Sequence, residues 1–117
     1  MLPQEAPLAL GGYPGNVPPP SSPHLLLAAP PGTPGVERLL DRAQASPTEV
    51  WVMLSAAGLA WAGQGRLRAL GDVAVCSQNA REAGWTLEST PPGIRWSSVA
   101  TWLAELGPDA PLWVALP

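Results

Sequence analysis

The chain has 117 residues, 46% of them hydrophobic and only 13% charged, with a net charge of −3. That length allows one domain at most, and the net negative charge gives no basic footprint of a nucleic-acid binder. No apolar run reaches the ~20 residues that a bilayer span requires, so a membrane is not an expected partner.

The N-terminus has no basic segment ahead of an apolar one, so no signal peptide is expected. One cysteine cannot form an internal disulfide, which fits a reducing cytoplasm. Structural zinc takes four Cys or His ligands, and the chain holds one of each. The nine acidic residues are scattered without ligand spacing, so no metal is expected.

Residues 1–23 carry Pro18-Pro19-Pro20 and a single charge, Glu5. The segment reads as a flexible or draped arm of polyproline character, or as a ligand for a proline-recognition module. Leu8, Leu10, Tyr13 and Val17 offer it packing contacts.

At His24 the pattern changes, and residues 24–117 read as one α/β domain. His24 to Ala29 is an apolar run of strand length, ended by Pro30-Pro31-Gly32. Thr33 is the expected N-cap of a helix with Pro34 at its first position. Val36, Leu39, Leu40 and Ala43 then fall on one helical face. Glu49 to Leu54 is the second strand, and Ser55-Ala56-Ala57-Gly58 a small-residue turn. Leu59 to Leu70 is expected to be helical, weakened by Gly63 and Gly65.

Gly71-Asp72 leads to a third strand, Val73–Cys76, followed by a short helix closed by Gly84. Ile94-Arg95-Trp96 is a short strand, and Ser97 is the expected cap of a last helix marked by Val99, Trp102, Leu103 and Leu106. Pro111–Leu116 is the final strand, its interior wholly apolar. Alternating strands and helices predict a three-layer α/β/α domain with a mostly parallel sheet of four to five strands. The unbroken apolar runs predict strands covered on both faces.

Ligands of such sheets bind outside the carboxyl ends of the strands. Ala29–Thr33, Ser55–Gly58 and Cys76–Ser77 all fall there. Cys76 is the one strong nucleophile among them, and a strand-to-helix junction favours an anion. An unpaired cysteine is also one of the most often buried residues, so a structural role stands beside the reactive one.

The only histidine, His24, lies at the opposite end of its strand. That argues against a Cys–His dyad or a Ser–His–Asp triad and makes His24 a surface or strand-end residue. A thiol without a base suits sulfur carriage better than hydrolysis. Arg81, one turn along the helix, is a candidate support for the thiolate or a solvated side chain. Neither GxGxxG nor GxxxxGK[ST] follows a strand, so no nucleotide cofactor is expected.

From His24 onward the chain resembles the DsrE/DsrF-like family, which includes the TusBCD and DsrEFH sulfur-relay subunits. The resemblance lies in HLLLAAPPGTPG, VWVMLSAAGLAWAG, VAVCSQNAREAGW and IRWSSVATWLAELGPDAPLWVAL. The chain departs from the family pattern at Ala57, where an acidic residue often stands, and at Ala83-Gly84, where Arg-Gly is frequent.

The resemblance implies that Cys76 accepts and passes on sulfur as a persulfide. Ser77, Arg81, Gly32, Thr33, Ser55 and Gly58 would form its surroundings. It implies sulfur-donor and sulfur-acceptor proteins as partners, and a homo- or hetero-oligomer. The family also contains subunits without a working cysteine, so a non-catalytic subunit or interaction module is the alternative. A small-ligand-binding α/β domain is the third.

Overall fold

The computed structural model describes residues 21–117. The expectations for the proline-rich arm, with Leu8, Leu10, Tyr13 and Val17, fall on residues 1–20 and lie outside the described residues. The folded unit includes residues ahead of His24. Ser22 and Pro23 are already buried, and the Pro23 carbonyl accepts the Trp51 N–H at 2.9 Å.

Five strands form one parallel sheet: β1 (His24–Leu27), β2 (Trp51–Leu54), β3 (Val73–Cys76), β4 (Ile94–Ser97) and β5 (Leu112–Ala115). Their order is β4-β3-β2-β1-β5. Helices α1 (Val36–Gln44), α2 (Ser77–Glu82) and α3 (Val99–Ala104) complete the three-layer α/β/α domain. The chain therefore steps outward from β1 to β4, then returns across the sheet to place β5 on the other side of β1. Crossovers of one hand put the outward-step connections on one face and the returning helix on the other.

The contacts follow this rule. Val36, Leu40 and Ala43 of α1 and Ala80 of α2 pack with Leu25, Leu27, Val52, Leu54, Val73 and Val75. Trp102 of α3 packs on the opposite face, with Met53, Ala74 and Cys76. One face thus carries the main core, and the other is covered by a single short helix.

Three local expectations are corrected. The segment 59–70 is not one α-helix: a 3-10 helix spans Ala56–Trp61, and turns follow to Leu70. Gly63 and Gly65 deprive the helix of its interior propensity, and Trp61 and Leu67 anchor the segment by burial instead. Helix α1 is capped by Gly35 in the left-handed region at φ 87° rather than by Thr33. The Thr33 hydroxyl donates to the Pro30 carbonyl at 2.8 Å and closes the preceding turn. Helix α3 is capped by Ser98, whose hydroxyl accepts from the Thr101 N–H at 3.0 Å, one residue later than Ser97.

The end of α2 follows the expected pattern. Gly84 sits at φ 83°, and the N–H groups of Gly84 and Trp85 reach back to the carbonyls of Arg81 and Ala80, a Schellman closure.

Candidate functional site

The carboxyl ends of β3 and β4 lie side by side, with Cys76 paired in register to Ser97. Helix α2 leaves from one of these ends and α3 from the other, toward opposite faces of the sheet. Between the two helix starts lies a groove of about 400 Å³ whose lining includes Cys76, Ser77, Gln78, Arg81, Ser98 and Val99. Cys76 is 9% exposed. Its thiol packs toward Met53, Ala74 and Trp102, with Val99 alongside. The site is a thiol at the base of a groove of mixed polar and apolar lining, roofed on one side by α3.

Of the residues expected around the thiol, Ser77 and Arg81 line this groove. Gly32, Thr33, Ser55 and Gly58 belong to the neighbouring loops. Gly32 takes a left-handed turn at φ 92°. The Ser55 N–H bonds the Leu27 carbonyl at 3.2 Å, and the Gly58 N–H bonds the Ser55 carbonyl at 2.8 Å. Gly58 itself lies against the β1 backbone, where a Cβ would stand 1.8 Å from the Leu27 carbonyl oxygen.

Gln78, Ser98 and Val99 also line the groove and were not among the residues expected there. For Ser98 and Val99 the signal was the Ser98–Thr101 capping spacing, which fixes where α3 starts and therefore what faces Cys76. Asn79 was not expected to contribute either; its Oδ1 accepts the Ala56 N–H at 2.8 Å. Ala56 is held at φ 49°, a left-handed conformation costly for a residue with a Cβ. The Asn79 side chain thus ties the loop after β2 to the helix that follows the thiol.

His24 is a strand-end residue but not a surface one. It is fully buried, under α3, because the return of β5 beside β1 makes β1 an inner strand. Its ring lies 4.7 Å from that of Trp102 and stacks 6.4 Å from that of Trp51. Nδ1 sits 3.2 Å from the Ser22 carbonyl, and Nε2 has no hydrogen-bond partner among the described residues. Arg95 covers the Trp51 ring at 5.3 Å and pairs with Asp72 at 2.8 Å and Glu105 at 3.6 Å.

In register, His24 is four residues and two strands from Cys76. At ~3.3 Å per residue and ~4.8 Å per strand the two are roughly 16 Å apart, so no Cys–His dyad forms.

Burial lowers the His24 pKa below its ordinary 6.5. The Ser22 carbonyl, the Glu105 carboxylate and the Trp102 backbone oppose that shift, and the Arg95 guanidinium adds to it. The unfolded chain therefore takes up this proton at a higher pH than the folded one. Stability is full above 6.5 and is lost as pH falls through 6.5 toward the folded value. Thermal melts between pH about 7.5 and about 5.5 should show the decline, in the range where histidine titrates. His24→Phe should flatten that part of the profile whatever it does to the absolute melting temperature.

Among the described residues no group of His, Cys, Asp and Glu is placed to hold a metal ion. No helix among them is long and apolar enough to cross a membrane. The fold class, a three-layer α/β/α domain on an all-parallel sheet, is established by the topology alone. No family model, curated protein or solved structure matches the chain.

Proposed function

We propose that the protein is a small sulfur carrier of sulfurtransferase type, holding sulfur on Cys76 as a persulfide. The observation that carries this reading is the placement of the one thiol. It stands at the carboxyl edge of the sheet, at the base of a groove large enough for a small sulfur donor or the tip of a protein loop. The one histidine of the chain lies roughly 16 Å away, and sulfur transfer needs no base.

The thiolate of Cys76 attacks the outer sulfur of a donor persulfide, R–S–SH. The Sγ–S bond forms, the donor S–S bond breaks, and the donor leaves as R–S⁻; the proton stays on the transferred sulfur. Release to an acceptor thiolate repeats the exchange in reverse, with no net oxidant or reductant. The resemblance of the cysteine-to-Gly84 segment to the DsrE/DsrF-like family supports the same reading. Donor and acceptor proteins, and an oligomeric assembly in a reducing cytoplasm, belong to this proposal.

The burial of Cys76 beside Trp102 and Met53 favours a second reading, a non-catalytic subunit or interaction module with a structural cysteine. One experiment separates them. The native protein is incubated with a low-molecular-weight persulfide and its intact mass is measured. A gain of one sulfur that is absent in Cys76→Ser, with both proteins equally folded, is the expected result. No gain in the native protein, or a gain that persists in Cys76→Ser, would favour the structural reading.

A further inference from the structure

Strand β5 is as apolar as the inner strands, yet it is an edge of the sheet. Its residues were expected to be covered on both faces. Instead Leu112 and Val114 are 41% and 45% exposed, and Leu116 just beyond them is more so. The reason is topological. The returning connection places β5 outside β1, and α3 is too short to reach across the face to it.

Three features converge on this edge. First, its backbone is open. The carbonyls of Pro111 and Ala115 accept from His24 and Ala28 of the β1 segment at 2.9 Å. By strand alternation, the N–H and C=O groups of Leu112 and Val114 point away from β1. Second, Leu112 and Val114 share the face that carries His24 and Leu26, with which they pair in register. They form an exposed apolar row there. Third, the other face borders a groove of about 380 Å³ between β5 and α1, whose lining includes Arg38, Leu39, Arg42 and Ala115. Arg66 and Arg95 have carboxylate partners, whereas Arg38 and Arg42 have none among the described residues.

We propose that the β5 edge receives an extended segment of a partner protein in which apolar and acidic residues alternate. Such a segment adds a sixth strand. Its apolar side chains cover Leu112 and Val114 on one face, and its carboxylates turn to the other face and meet the two arginines. The spacing agrees. Arg38 and Arg42 are one helical turn apart, ~6 Å along α1, and residues two apart on a strand are separated by ~6.6 Å. Backbone pairing would supply affinity and the alternation would supply specificity, the mode known as β-augmentation. A second copy fits less well. Two β5 edges paired about a twofold axis would bring the Arg38 and Arg42 rows of both α1 helices toward one another.

The test is a nuclear magnetic resonance titration of the full chain with the peptide acetyl-Leu-Glu-Val-Glu-Leu-Glu-amide. Its control is the same peptide with Lys in place of Glu. The Leu112 and Val114 amides should exchange freely in the dilute free protein and become protected when the acidic peptide binds, with shifts confined to β5 and α1. Arg38→Glu with Arg42→Glu should weaken binding about tenfold.

Equal binding of both peptides, no binding, or unchanged affinity in the double variant would overturn the proposal. So would amides already protected in the dilute free chain, which would mean that its own residues 1–20 cover the edge. Protection that rises with protein concentration alone would mean that a second copy covers it, and would overturn the proposal as well.

Discussion

Gly58→Ala should abolish the cooperative fold or come close to it, the largest effect expected of any one-methyl change in this protein. The added Cβ would stand 1.8 Å from the Leu27 carbonyl oxygen and 2.7 Å from its carbonyl carbon. Both atoms are backbone, so no side chain can turn aside. Relief requires moving the end of β1, which is hydrogen-bonded to β2 on one side and β5 on the other, or lifting the 3-10 helix that carries Trp61 into the core. The Trp61 indole N–H donates to the Ala29 carbonyl at 2.8 Å, so lifting it also strands a buried donor and a buried acceptor.

Overpacking and lost buried hydrogen bonds together place the cost at about 4 kcal/mol or more, a large part of a domain's whole stability. Circular dichroism melts of wild type and variant would measure it. A variant melting within a few degrees of wild type would show that the β1 end and the 3-10 helix are not locked together.

Trp102→Ala should destabilise by about 3–5 kcal/mol, as expected for a large core aromatic. For a domain of this size that lowers the melting temperature by more than about 12 °C. Trp102 is the one residue of α3 that is fully buried, and it touches both ends of the layer beneath that helix: His24 at the amino end of the sheet and the Cys76 cluster at the carboxyl end. Its truncation should therefore do two things at once. Native alkylation of Cys76 should accelerate as α3 loosens, measured below the melting transition. The acid-side decline of stability traced to His24 should weaken as water reaches the ring. Destabilisation without a change in thiol accessibility would mean that Val99 and the helix start alone close the thiol.

Much of the architecture was legible in the sequence. The apolar runs at Leu25–Leu27, Trp51–Leu54 and Val73–Cys76 are inner strands, buried except for the half-buried Leu26. The α1 face of Val36, Leu40 and Ala43 packs as its spacing requires. What the sequence did not carry was strand order. LWVA reads like an inner strand, and only its return to the far side of β1 makes it an edge.

The same return buries His24, which looks like a strand-end surface residue until the sheet is assembled around it. Cys76 was identifiable as the candidate nucleophile because it ends a strand and precedes a helix closed by Gly84. Its roof was not, because α3 comes from far along the chain. Cap positions slipped by one or two residues at Gly35 and Ser98, where a left-handed glycine and a hydroxyl competed with equally plausible neighbours.

The pairing of β1 with β5 joins the first and last strands of the domain. Every other pairing in the sheet links consecutive strands and involves a comparatively short loop. This one closes nearly the whole described chain, so it carries the greatest loop-closure cost and raises the contact order. A nascent chain emerging from its amino end can assemble β1 to β4 while β1 still has one open side and His24 is still wet. Only the arrival of Leu112–Ala115 seals that side. The completed fold is thus closed beside its first strand, by the last strand to be made.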